Sequence, residues 1–274
     1  MPLSSSITPT VSAAVPLLGS LKTLLLRGLL AGLIAGLLAG TVGYFVGEPK
    51  VDAAIAIEEA NSAAEAAHAE STAGHSHGDE DEPLVSRTGQ KVGQFLALGL
   101  AGMAFGALFA AAAHFARRYT TLSGPKLAIG LAVGGWAAIV AVPFFKYPAN
   151  PPAVGDPETI NDRTWLWVAA VLLGLAAVGM GVFVYKALAG QLETFRLIAG
   201  VGAFALIAAV GYILLPGVNE VKADFPATLL WQFRAASLTE SATLWACLGL
   251  GFAALTEFAT RPSTPVREQI ATAG

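Results

Sequence analysis

The 274-residue chain is 55% hydrophobic and 13% charged, with a mean hydropathy of +0.63 and a formal charge of −3. That balance excludes an ordinary soluble domain, leaves an integral membrane protein, and gives no reason to expect a nucleic-acid partner. At about 20 residues per crossing the length suffices for about six spans and no large soluble domain, while the single cysteine, Cys247, excludes an internal disulfide or a cysteine-rich metal centre.

Residues 1–20 are rich in Ser, Thr and Pro and read as a disordered tail. The first apolar run, 24–46, is longer than a signal-peptide core and no Ala-x-Ala site follows it, so it reads as an uncleaved span. Within it, RGLLAGLIAGLLAG repeats glycine at Gly28, Gly32, Gly36 and Gly40. Four-residue spacing lays these along one helix face, where a second helix can approach backbone to backbone. A long loop, 47–92, follows; it is expected to be disordered or partly helical, since 51–69 is rich in helix formers. The second span, 94–115, offers Gly99, Gly102 and Gly106 as the complementary seam. Runs at 127–145, 165–185, 197–215 and 242–258 complete an all-α membrane domain of about six helices over 21–260, because only helices satisfy their own backbone in lipid. Residues 227–238 read as a short interfacial or re-entrant helix, and 261–274 as a tail. Trp165, Trp167, Tyr147, Tyr185, Trp231 and Trp245 lie near span ends, as interfacial anchors do.

Orientation follows from the loops. One side collects nine Lys and Arg with three acids, clustered tightly at span ends; the other collects seven cations with sixteen acids. The positive-inside bias places the first side, with both termini, in the cytoplasm. The acidic first loop then faces outward.

That loop contains GHSHGDEDE at 74–82. Neutral imidazoles at His75 and His77 suit borderline transition ions, with Asp79, Glu80, Asp81 and Glu82 as oxygen donors and His68 seven residues upstream. Charge of this kind also concentrates cations at a surface. Two readings stand: capture of a transition metal, or a solvated connector. A permeation site must lie elsewhere, in the helices, where ionisable groups are costly and few. His114 and Glu257 fall at the cytoplasmic ends of two spans as candidate exit groups, with packing and interfacial roles as the alternative. The loops after the third and fifth spans are polar and, in the first case, stiffened by prolines. Tyr147, Asn150, Asp156, Glu158, Asn219, Glu220 and Asp224 could together form an oxygen-rich outer vestibule, or an ordinary structural cover.

The phrases KYPANPPAVGDPETI and PGVNEVKADFPATLLWQFRAASL, with the small-residue first span and the His/acid loop, resemble the CbtA-type cobalt transporter subunits over 24–258. The resemblance implies a bacterial inner-membrane protein for cobalt uptake, tied to cobalamin supply. It also implies a small single-span companion subunit with a histidine-rich end; self-association into a homo-oligomer is compatible with it. It carries over no ligand set. Cobalt would be the transported substrate, with no permanently bound cofactor. No phosphate loop, HExxH or GxSxG motif is present, so the chain is not expected to be an enzyme. A nickel or zinc transporter of the same architecture, and a membrane scaffold or metal sensor that transports nothing, are the alternatives.

Overall fold

The computed structural model describes residues 16–70, 85–152, 154–155 and 157–259. Among them there is no strand, and six helices are long and apolar enough to cross a membrane. The protein is an all-α, multi-pass membrane protein.

Helix α1 (Leu21–Val42) begins at Ser20, whose hydroxyl accepts the Thr23 N–H at 3.2 Å. It continues through a π-helical turn, Gly43–Gly47, into α2 (Glu48–Glu70). Helix α3 (Arg87–Ala116) is capped in the same way by Ser86. Helix α4 (Gly124–Trp136) passes through a second π-helical turn, Ala137–Ala141, into α5 (Val142–Lys146). Helices α6 (Ile160–Ala187), α7 (Glu193–Leu214) and α8 (Ala227–Phe258) complete the chain.

The two π-helical turns share a cause. Pro49 and Pro143 each stand two residues beyond the turn. A proline inside a helix lacks the N–H owed to the carbonyl four residues back, and its ring presses on that carbonyl. Widening the preceding turn relieves both faults: the Glu48 N–H reaches Gly43 O, and the Val142 N–H reaches Ala137 O.

Helices α1 and α3 form the closest pair. A methyl on Gly28 would lie 2.2 Å from Gly106 O, and one on Gly32 would lie 2.0 Å from Gly102 O. The seam ends differently from the sequence expectation. A methyl on Gly36 would lie 2.1 Å from Leu98 O, whereas one on Gly99 would meet only side-chain carbons of Leu33 and Leu37, at 3.5 Å and beyond. Gly40 faces the Phe95 ring. Helix α8 lies against α1 and α4, filling the centre with Leu248 and Phe252. Phe252 meets Phe109 edge-on at 5.3 Å. Helices α6 and α7 pair with each other through Gly181 and Gly200, and α6 joins the rest where Gly174 seats on Ala138 O.

Two further expectations are corrected. The sequence separates an interfacial helix, 227–238, from a last span, 242–258; the structure runs one 32-residue helix through both. Thr239, Ser241 and Thr243 look like a break, but each hydroxyl donates to a carbonyl of its own helix, Ala235 O, Leu238 O and Thr239 O. No proline interrupts this stretch and its first glycine is Gly249. Trp245 is no interfacial anchor: it is buried, with its ring over Gly135, where a methyl would lie 2.2 Å away. Trp165 and Trp231 are exposed.

Candidate functional site

Between α4–α5, α6 and α8 lies a cavity of about 580 Å³, at the end of the bundle that carries α2. Its rim is formed by residues 147–150 and 218–221 of the two polar loops; its floor is formed by Ile139 and Val140 of the second π-helical turn and Ser241 of α8. At 1.5 Å per residue, Ile139 lies about 10 Å below the end of α5.

Four of the expected vestibule residues line this space: Tyr147, Asn150, Asn219 and Glu220. Asp224 and Glu158 are exposed and do not line it. Asp156 lies outside the described residues. The Tyr147 hydroxyl donates to Pro216 O at 2.8 Å, tying one loop to the other, and burial pushes its phenol above the ordinary range. Glu220, only 6% exposed, accepts from the Thr159 hydroxyl and pairs with Arg163 Nη1 at 2.9 Å. Gly155, at φ +141°, lets the loop turn over that guanidinium, where a Cβ would come within 3.2 Å of it.

Arg234 is the second cation in the wall. Its Nε donates to Ala149 O at 3.2 Å and its Nη2 to Asn150 Oδ1 at 3.0 Å. Both acceptors are neutral, and no carboxylate pairs with it among the described residues. Among the described residues the charged lining is therefore two guanidinium groups against one carboxylate. A dication about 6 Å from an unpaired guanidinium is repelled by about 5 kcal/mol at an effective dielectric of about 20. The vestibule has the polar residues foreseen from the sequence but not the expected sign of charge. Among the described residues no three His, Cys, Asp or Glu side chains gather into a metal site.

A carboxylate of the opposite character sits on another face of α8. Glu240 presses against Gly43: a methyl there would lie 2.6 Å from Glu240 Oε2 and 2.4 Å from Gln94 Nε2. Gln94 Oε1 is buried without a partner. Glu48 lies near enough for its charge to bear on Glu240. Glu48 itself is compensated, paired with Arg87 and 4.0 Å from Lys91. Asp52 takes Arg87 at 2.9 Å and Lys91 at 2.8 Å, and these two cations, Lys91 foremost, hold its carboxyl below the ordinary value. Two cations thus serve Glu48 and Asp52, and the negative charge left over is that of Glu240. Neither Glu240 nor Arg234 is evident in the sequence once α8 is divided; reading 227–258 as one helix puts both on it, on different faces.

At the other end of the bundle, His114 Nε2 lies 3.3 Å from Arg118 Nη2, and Arg117 and Arg118 both bear on the ring. Glu257 is exposed in the last turn of α8. His68 is exposed near the end of α2. His75, His77, Asp79, Glu80, Asp81 and Glu82 lie outside the described residues.

No curated protein and no solved structure matches the chain. A family model described as "Probable cobalt transporter subunit (CbtA)" matches residues 21–257, from the first residue of α1 almost to the last of α8. A match running through all six long apolar helices, with the cavity and its loops inside it, covers the whole membrane body: the chain belongs to the CbtA family of cobalt transporter subunits.

Proposed function

We propose that this subunit carries Co²⁺ inward across the bacterial cytoplasmic membrane to supply cobalamin synthesis. Both termini lie in the cytoplasm, and a small single-span companion with a histidine-rich end works beside it. The observation that carries this reading is the family match through all six spans. The histidines and carboxylates of the 74–82 segment, with His68, collect cations from outside. Glu240, which pairs with no cation among the described residues, draws the ion into the helices, and His114 and Glu257 meet it at the cytoplasmic end. Cobalt is cargo rather than cofactor, and the chain performs no catalysis of its own. An inside-negative potential of 100 mV favours inward movement of a divalent ion by about 4.6 kcal/mol, enough to drive uptake without ATP.

The test is uptake of radioactive cobalt into proteoliposomes under an imposed potential, with and without the companion. Lumenal accumulation supports the proposal. Saturable surface binding with no accumulation in either preparation rejects transport and leaves a scaffold or sensor. Competition by Ni²⁺ and Zn²⁺ decides the metal, because affinity at N and O ligands alone ranks Ni²⁺ above Co²⁺. Replacing His75 and His77 together with alanine slows uptake at limiting cobalt if the loop captures metal; unchanged uptake makes it a connector.

A further inference from the structure

The cavity at the α2 end has the wrong charge for a naked dication and the right charge for a metal that arrives with its own carboxylates. We propose that this cavity binds a small carboxylate-bearing chelate of the metal, with Arg234 as the carboxylate-binding residue. The inference deepens the cobalt-uptake reading and rests on it for the metal, but not for the carboxylate.

The hydrogen-bonding inventory of the wall points to an anion. Of the five N–H donors of Arg234, one is used on Ala149 O and one on Asn150 Oδ1. The remaining three sit on the two terminal nitrogens, whose paired donors match the two oxygens of a carboxylate. Asn150 Oδ1 is occupied by Arg234, and Asn219 Oδ1 accepts the Val221 N–H at 3.3 Å, so each of these amides has its NH₂ left to donate. The one carboxylate in the lining among the described residues, Glu220, is engaged by Thr159 and Arg163, and the Tyr147 hydroxyl is given to Pro216 O. Ser237, one turn beyond Arg234 on α8, brings a hydroxyl to the same wall. Among the described residues the cavity therefore offers mostly donors and a net positive charge. A bare cation needs the reverse.

Size agrees. Six waters around a hydrated ion fill about 180 Å³ at about 30 Å³ each, roughly a third of the 580 Å³ present. The remaining space accommodates a chelator with several carboxylate arms. The chelate's negative charge offsets the repulsion that Arg234 imposes on the metal.

The test uses the full chain in phosphatidylcholine nanodiscs and three probes: Co(II)–nitrilotriacetate, which carries one net negative charge, nitrilotriacetate alone, and Co²⁺ alone. The chelate and free nitrilotriacetate are expected to compete for one saturable site. Arg234→Gln should weaken chelate binding about tenfold or more, the loss expected when a charged hydrogen-bond partner is removed, and leave binding of Co²⁺ alone unchanged. Ser237→Asp keeps the Arg234 loop bonds and sets a competing carboxylate before the guanidinium; it should weaken the chelate equally, and it keeps the inference testable if Arg234→Gln does not fold. Chelate binding that is absent, or unchanged in Ser237→Asp, overturns the inference. Arg234-dependent chelate binding without cobalt accumulation in vesicles leaves this inference standing and sinks uptake. Accumulation of bare Co²⁺ with no chelate binding does the opposite.

Discussion

Gly32 of α1 and Gly102 of α3 meet backbone to backbone: a methyl on the first would lie 2.0 Å from the carbonyl oxygen of the second, and one on the second 2.2 Å from the carbonyl of the first. No side-chain rotation relieves such a clash, because the obstructing atoms are main chain. Gly32→Ala or Gly102→Ala is expected to destabilise the protein by about 1 to 3 kcal/mol or more, the range for overpacking a closed interface. Gly99→Ala should be close to neutral, since its methyl would meet leucine carbons at ordinary separation. Thermal unfolding in detergent compares the three. Equal damage from Gly99→Ala would place the seam in the wrong register.

The seam was legible because a glycine every fourth residue is a statement about backbone approach that needs no partner to be read. Its register was not, because whether Gly99 or the Leu98 carbonyl meets Gly36 depends on how far α3 slides along α1. The vestibule residues were legible for a local reason too: closely spaced prolines end the helix at α5 and leave polar groups such as Tyr147 and Asn150 in the stretch that follows. What stayed hidden was the charge. Arg234 reaches Asn150 across 84 residues of chain, and Arg163 of α6 meets Glu220 of the loop before α8. No local pattern announces such pairings. Glu240 was obscured by its neighbours, since Thr239, Ser241 and Thr243 resemble a loop until their hydroxyls are seen to bond back to the helix.

Glu240 gives a prediction that separates function from stability. Among the described residues this half-buried carboxylate has no cation, which costs stability, and the adjacent Gln94 Oε1 lacks a donor. Glu240→Gln removes the charge and supplies an N–H₂ that Gln94 Oε1 can accept from. The unfolding temperature should hold or rise, while cobalt uptake into vesicles falls about tenfold or more, as for loss of a charged ligand. A lower unfolding temperature with unimpaired uptake would make Glu240 a structural group.

The clasp between α2 and α3 should depend on pH in a defined direction. Lys91 and Arg87 lower the Asp52 carboxyl below its ordinary value of 3.8. A carboxyl depressed by folding contributes stability that is complete above the unfolded value and lost as pH falls through the folded one. Amides of α2 should therefore stay as protected from hydrogen exchange at pH 5 as at pH 7, and lose protection only below about pH 4. Asp52→Asn should already be less protected at pH 7. A wild-type clasp that opens between pH 7 and pH 5 would assign its control to another group.

The latch between Arg163 and Glu220 sets the shape of the proposed chelate site, so its loss should be felt there before it is felt in the fold. Glu220→Gln leaves an amide that still accepts from Thr159 but no longer neutralises Arg163. Because Glu220 is buried and Arg163 is partly in solvent, the cost should be about 1 to 3 kcal/mol, the range for an unmet buried partner, rather than that of a fully buried ion pair. Arg163→Gln alone strands the Glu220 carboxylate and should cost more than the double replacement, in which neither charge remains. A coupling energy near zero in that double-mutant cycle would mean the loops are held by Tyr147 and Arg234 instead. Freed from Glu220, Arg163 also adds positive charge to the wall, so Glu220→Gln should tighten Co(II)–nitrilotriacetate binding while it loosens the loops, two changes of opposite sign from one substitution.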